Sequence, residues 1–92
     1  MVETKQVTMM THEDDLAAIK EEMLKYYVKP ERIGCYEYFE LQSNNVVYEI
    51  ELFVFEWLDE DSRVMLMDEF PMVSSFSEIQ ENALGKVVWN WR

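Results

Sequence analysis

The sequence predicts an α+β domain: a mainly antiparallel, twisted sheet of four to five strands with two helices packed on one face, in the order (β)αβββαβ. Three observations predict it. Apolar residues recur at helical spacing between Thr11 and Val28. Between Cys35 and Leu58 they alternate as half-buried strands do. Ser75 with Glu78 forms a capping-box pattern, and Gly85 supplies a stop for the short helix it would open. The whole chain, residues 1–92, reads as a single acidic domain.

Lys5–Met10 (KQVTMM) reads as a short first strand. Thr11 then looks like a helix N-cap, followed by Glu13, Asp14 and Asp15, where carboxylates favour the helix dipole. Leu16, Ile19, Met23 and Tyr27 share one helical face with Leu24 beside them, and Pro30 stops the helix. Pro30–Gly34 is a turn. Cys35–Gln42 is the first strand of a hairpin, Ser43-Asn44-Asn45 its turn, and Val46–Leu58 the second strand. Val46, Tyr48, Ile50, Leu52 and Val54 make an apolar face; Val47, Glu49, Glu51, Phe53, Phe55 and Trp57 make the other. Asp59–Ser62 reads as a turn, Arg63–Phe70 as a third strand closed by Pro71, Phe76–Leu84 as a helix, and Lys86–Trp91 as a last strand.

Composition narrows the function. The chain is 49% hydrophobic and 14% aromatic with two Gly and two Pro, too apolar for a disordered acidic tail. Its net charge is −11, and residues 33–85 alone carry that balance, with Arg63 their one base. Such acidity opposes direct binding of nucleic acid and of anionic membranes. One cysteine, Cys35, rules out an internal disulfide and suits a reducing cytoplasm. No stretch approaches the roughly 18 apolar residues of a membrane helix, and the first residues carry no secretory signal.

No catalytic motif stands out, and the expectation is a protein without enzymatic activity. His12 and Cys35 are the only residues of their kinds, and nothing in the sequence pairs them. The acidic turn at Asp59, Glu60 and Asp61 lacks the Gly and the terminal Glu of a calcium loop, so neither a metal nor a cofactor is expected. The acids themselves are the clue. Glu37, Glu40, Glu49, Glu51, Glu56 and Asp59–Asp61 stand in one stretch without Lys or Arg between Arg32 and Arg63. Glu49 and Glu51 share a strand face at about 6.5–7 Å, and adjacent strands add acids at steps of about 4.8 Å. In the helix, Asp14 with Glu21 and Asp15 with Glu22 share faces at about 10 Å. A rigid face of this kind approximates rows of phosphates and suits a DNA-binding cleft. The plainer explanation is that strand acids protect an edge from aggregation, and that the helix acids serve the dipole and an i,i+4 pair of Glu21 with Lys25. Phe53, Phe55, Trp57, Trp89 and Trp91 serve either the core or a self-association surface.

The length, the opening VTMMTHEDDLAAIKEEMLK and the acidic hairpin together resemble the Arn-type anti-restriction proteins of T-even phages. The resemblance implies an early phage protein, acting in the host cytoplasm as a homodimer that imitates duplex DNA. It further implies inhibition of host DNA-binding proteins, namely the McrBC-type restriction nuclease and the nucleoid protein H-NS. The expected partner-binding acids are Asp14, Asp15, Glu21, Glu22, Glu37, Glu40, Glu49, Glu51, Asp59, Glu60 and Asp61. The rival expectation is an acidic immunity-type inhibitor dedicated to one basic partner, without DNA mimicry; a small enzyme using a carboxylate pair ranks third.

Overall fold

The computed structural model describes residues 2–85. The chain is α+β, with strands β1 (Glu3–Thr11), β2 (Glu31–Ile33), β3 (Tyr36–Ser43) and β4 (Val46–Val54) and helices α1 (Glu13–Leu24), α2 (Glu60–Glu69) and α3 (Phe76–Leu84). The sheet order is β1-β4-β3-β2. β3 is antiparallel to both β2 and β4, but β1 runs parallel to β4, so the sheet is mixed rather than mainly antiparallel. The expected last strand, Lys86–Trp91, with Trp89 and Trp91, lies outside the described residues.

One sheet face builds the core. Val7 and Met9 of β1, Ile50, Leu52 and Val54 of β4, and Phe39 and Leu41 of β3 meet Leu16, Ile19 and Met23 of α1 and Phe76 and Ile79 of α3. The alternation of Val46–Val54 and the helical spacing of Leu16, Ile19 and Met23 are what put these residues on facing surfaces. The opposite sheet face carries no helix core of its own. At its β1 edge the sheet is extended by Pro71–Val73, which runs parallel to β1: the Met10 N–H donates to the Pro71 carbonyl at 3.0 Å and the Val73 N–H to the Met10 carbonyl at 2.8 Å.

Several sequence expectations need correction. The first strand runs on through Thr11, which pairs with Val54 and is buried, so it cannot cap α1; His12 takes the N-cap position without a side-chain bond. The helix stops at Leu24, and Tyr27 lies beyond it in a left-handed conformation at φ 58°. The Val28 N–H reaches back to the Met23 carbonyl at 3.3 Å and the Tyr27 N–H to the Leu24 carbonyl at 3.2 Å, the pairing of a Schellman end. Lys25 pairs not with the expected i,i+4 partner Glu21 but with Glu22, whose carboxylate it meets at 2.9 Å. The segment Pro30–Gly34 is not only a turn, since Glu31–Ile33 forms β2.

The largest correction is that Arg63–Phe70 is helix, not strand, which makes three helices rather than two. Asp59 caps α2 by accepting the Ser62 N–H at 2.8 Å, and Glu60 and Asp61 fill the first turn. The mixture of Met, Leu and acids favours helix locally, and no residue of α2 is buried, so no packing partner selects the strand period. The second hairpin strand correspondingly ends at Val54, and Phe55–Trp57 forms a short 3-10 turn. The Arg63 Nε donates to the Phe55 carbonyl at 2.9 Å, anchoring α2 to that turn. The helix Phe76–Leu84 forms as expected, with Ser75 accepting the Glu78 N–H and Gly85 left-handed at φ 78°, but the returning half of the capping box goes one residue further back: the Glu78 carboxylate accepts the Ser74 hydroxyl at 2.8 Å and the Ser74 N–H at 3.4 Å.

Candidate partner-binding face

The open face of the sheet is set by pairing register. Glu40 of β3 stands directly opposite Glu49 of β4, and Glu49 opposite Gln6 of β1. In the next row on the same face, Glu31 of β2, Tyr38 of β3, Glu51 of β4 and Thr8 of β1 lie side by side. Tyr38 therefore sits among four carboxylates, those of Glu31, Glu40, Glu49 and Glu51. No strand residue that shares this face is Lys or Arg.

Like charges directly across a strand pair oppose each other, and this face holds Glu40 against Glu49. Neutral donors moderate the repulsion. The Tyr38 hydroxyl lies 3.0 Å from Glu40 Oε2 and 3.2 Å from Glu49 Oε2, one proton serving two acceptors. The Gln6 amide reaches Glu49 Oε1 at 3.4 Å and the Thr8 hydroxyl reaches Glu51 Oε1 at 3.5 Å, both long contacts. Burial, then the bond and charge of Glu40 and the charge of Glu49, hold the Tyr38 phenol well above the usual tyrosine range. Tyr38 consequently stays a neutral donor throughout physiological pH.

The expected acids do not form one patch. Glu40, Glu49 and Glu51 come together, and Glu31, absent from the expectation, joins them. Glu37 does not: it shares the core side of β3 with Phe39 and Leu41, is 1% exposed, and accepts from Lys20 Nζ at 3.2 Å. It is a structural ion pair, with Oε1 lacking a hydrogen-bond partner among the described residues. Asp14, Asp15, Glu21 and Glu22 belong to α1, which packs on the core side of the sheet. Asp14 and Glu21 are exposed and lie opposite the buried stripe of Leu16, Ile19 and Met23, so they point away from the open face. Asp59 caps α2, and the Ser62 amide it accepts lowers its pKa; Glu60 and Asp61 are exposed beside it.

A second polar cluster ties the end of β4 to the start of α1. Glu56 accepts the Glu13 N–H at 2.6 Å and lies 2.9 Å from His12 Nδ1. The Trp57 indole donates to Glu13 at 2.8 Å, and the Arg32 guanidinium lies 3.7 Å over the Trp57 ring. The Glu13 amide first, and His12 second, hold the Glu56 carboxyl below its usual range. His12 is thus held between Glu56 and the Phe55 ring, whose centre lies 5.1 Å from its own.

Among the described residues, no group of three or more His, Cys, Asp or Glu side chains could hold a metal ion. No helix among them is long and apolar enough to cross a membrane. Comparison of the chain with protein-family models, with curated proteins and with solved structures finds no match.

Proposed function

We propose that this chain is a DNA mimic that presents carboxylates in place of phosphates to the basic clefts of host DNA-binding proteins. The observation that carries the reading is the opposed pair Glu40 and Glu49 on a sheet face with Glu31 and Glu51 and without any strand Lys or Arg. A sheet selected only for stability would place opposite charges, or a neutral residue, across that pair. A cationic partner turns the same arrangement into attraction.

Scale supports the reading. The long axis of the fold is 39 Å, slightly more than one duplex turn of about 34 Å. Duplex of that length carries about 23 charges, about half of them on a side that faces a cleft. The open face answers such a row with Glu31, Glu40, Glu49 and Glu51, while the chain's net charge of −11 is spread over the whole molecule. Acting as a homodimer, it would offer about two turns. The proposed targets are basic proteins such as an McrBC-type nuclease and H-NS, and the interaction is electrostatic and salt-sensitive.

The test is displacement of labelled duplex from H-NS, with McrBC in parallel, at several salt concentrations. Stoichiometric displacement from both, fading as salt rises, is the expected result. The double variant Glu40→Gln, Glu49→Gln keeps the side-chain shapes and removes the repulsion. It should fold at least as stably, by about 0.2–1 kcal/mol, and displace duplex several-fold less well. Failure to displace duplex from either protein would refute mimicry and favour an inhibitor dedicated to a single partner.

A further inference from the structure

A cleft of about 250 Å³ opens beside the acidic face, where the chain leaving α1 passes the edge of β3. At about 30 Å³ per water, it has room for one long side chain. Tyr27, Tyr38, Glu31, Glu40 and Lys29 line it, together with Val28 and Phe39, which are themselves buried. Register with β2 ends at Glu31 opposite Tyr38, so β3 has no strand neighbour on this side beyond that point among the described residues.

Tyr27 is the unexpected member. It occupies the left-handed position after α1, at φ 58°, where a bulky side chain is strained and glycine is the usual residue. The corresponding position after α3 is indeed Gly85. Tyr27 is 76% exposed, so core packing does not account for it. An aromatic side chain is thus held against backbone preference, in the open, on the wall of a cleft.

We propose that this cleft receives an arginine side chain from the basic partner. The assignment rests on the DNA-mimic reading and specifies its partner chemistry. A guanidinium is flat, weakly hydrated on its faces and forked at its edge, so it can stack on tyrosine while donating to carboxylates. A lysine ammonium is compact and strongly hydrated and uses the aromatic walls less well. The molecule already stacks guanidinium groups on rings while they donate to carbonyls: Arg32 lies 3.7 Å over Trp57 and donates to Gly34, and Arg63 lies 4.7 Å from the Phe55 ring centre and donates to Phe55. Both arginines among the described residues are engaged away from this cleft, Arg32 on Trp57 and Arg63 on Phe55. Lys29 opposes such a guest and sets the cleft's affinity below what its carboxylates alone would give.

The experiment uses the full chain, isotope-labelled, and two probes: acetyl-Gly-Arg-Gly-amide and acetyl-Gly-Lys-Gly-amide. Amide shifts are followed by NMR during titration, beside the duplex-displacement assay. The arginine peptide should bind several-fold more tightly than its lysine twin and shift residues 27–31 and 38–40. Lys29→Met should tighten it. Tyr27→Gly should weaken it several-fold while raising Tm, because the substitution relieves the backbone and removes the ring; a folding defect would move both quantities down. Equal affinity for the two peptides, shifts confined to other residues, or unchanged binding in Tyr27→Gly would overturn the inference. Duplex displacement without arginine preference at the cleft would sink the cleft and leave mimicry standing. Arginine binding at the cleft without displacement would do the reverse.

Discussion

At the scale of single residues, Tyr38 is the organising side chain of the acidic face. It lends one proton to two carboxylates that the sheet forces together. Its native pKa is raised above the unfolded value near 10.0, so its contribution to stability is complete below that pH and is lost as pH rises through the native value. Spectrophotometric titration of the phenolate band should therefore show one tyrosine ionising late, and Tyr38→Phe should abolish that late step. A wild-type titration without a late phase would mean that the hydroxyl is not held as described. Part of this residue logic was legible in sequence. Glu49 and Glu51 share a strand face because side chains alternate, and they do so here. The same alternation places Glu37 with Phe39 and Leu41, on the core side, yet charge alone had marked it as exposed. The importance of Tyr38 and Glu31 is not legible in the sequence, because it depends on which strands become neighbours.

At the scale of elements, α1 illustrates a cap supplied from elsewhere. Its own N-cap residue, His12, gives no side-chain bond, and Glu56, distant in sequence, accepts the Glu13 N–H instead. Glu56→Ala should lower stability by about 1 kcal/mol or less, since its side chain remains partly exposed. The native pKa of Glu56 lies below the unfolded value of 4.5. The contribution is thus present above that unfolded value and lost as pH falls through the native one. Chemical denaturation of wild type and variant at neutral and acid pH should show a gap that closes in acid; a gap independent of pH would assign the loss to packing. The element most misread, α2, carried its own signal. Asp59 with Glu60 and Asp61 repeats the pattern of a cap residue followed by first-turn acids. The strand reading of Arg63–Phe70 leaned on the short apolar run Val64–Met67 before Pro71, which no burial holds extended. α3 was legible throughout because its cap, its acid and its glycine all agree.

At the scale of the whole molecule, charge acts against the fold and for the proposed partner. Raising salt from about 0.01 M to about 1 M shortens the screening length from about 30 Å to about 3 Å. Self-repulsion should weaken accordingly, adding about 1 kcal/mol and roughly 4–8 °C to Tm. Over the same range the proposed displacement of duplex should fade, so stability and binding move in opposite directions. A Tm that falls steadily with salt would show that attractive pairs outweigh repulsion. Which acids assemble was only partly readable, because assembly depends on register. Ser43 pairs with Val46, so the hairpin turn is Asn44-Asn45 rather than three residues, with Asn44 left-handed at φ 55°. That count sets Glu40 opposite Glu49. The parallel placement of β1 beside β4 had no local signature at all.

That placement also governs the order in which the chain can fold. Residues of β1 pair with partners 43 positions later, whereas β3 and β4 meet across a two-residue turn. On a growing chain, β1 emerges first yet finds its neighbour only after Val54 has been synthesised. The hairpin, though it brings Glu40 and Glu49 together, closes a far shorter loop and can form earlier. The repulsive part of the sheet can therefore precede the core that holds it, and docking of β1 becomes the step that commits the chain to its native state.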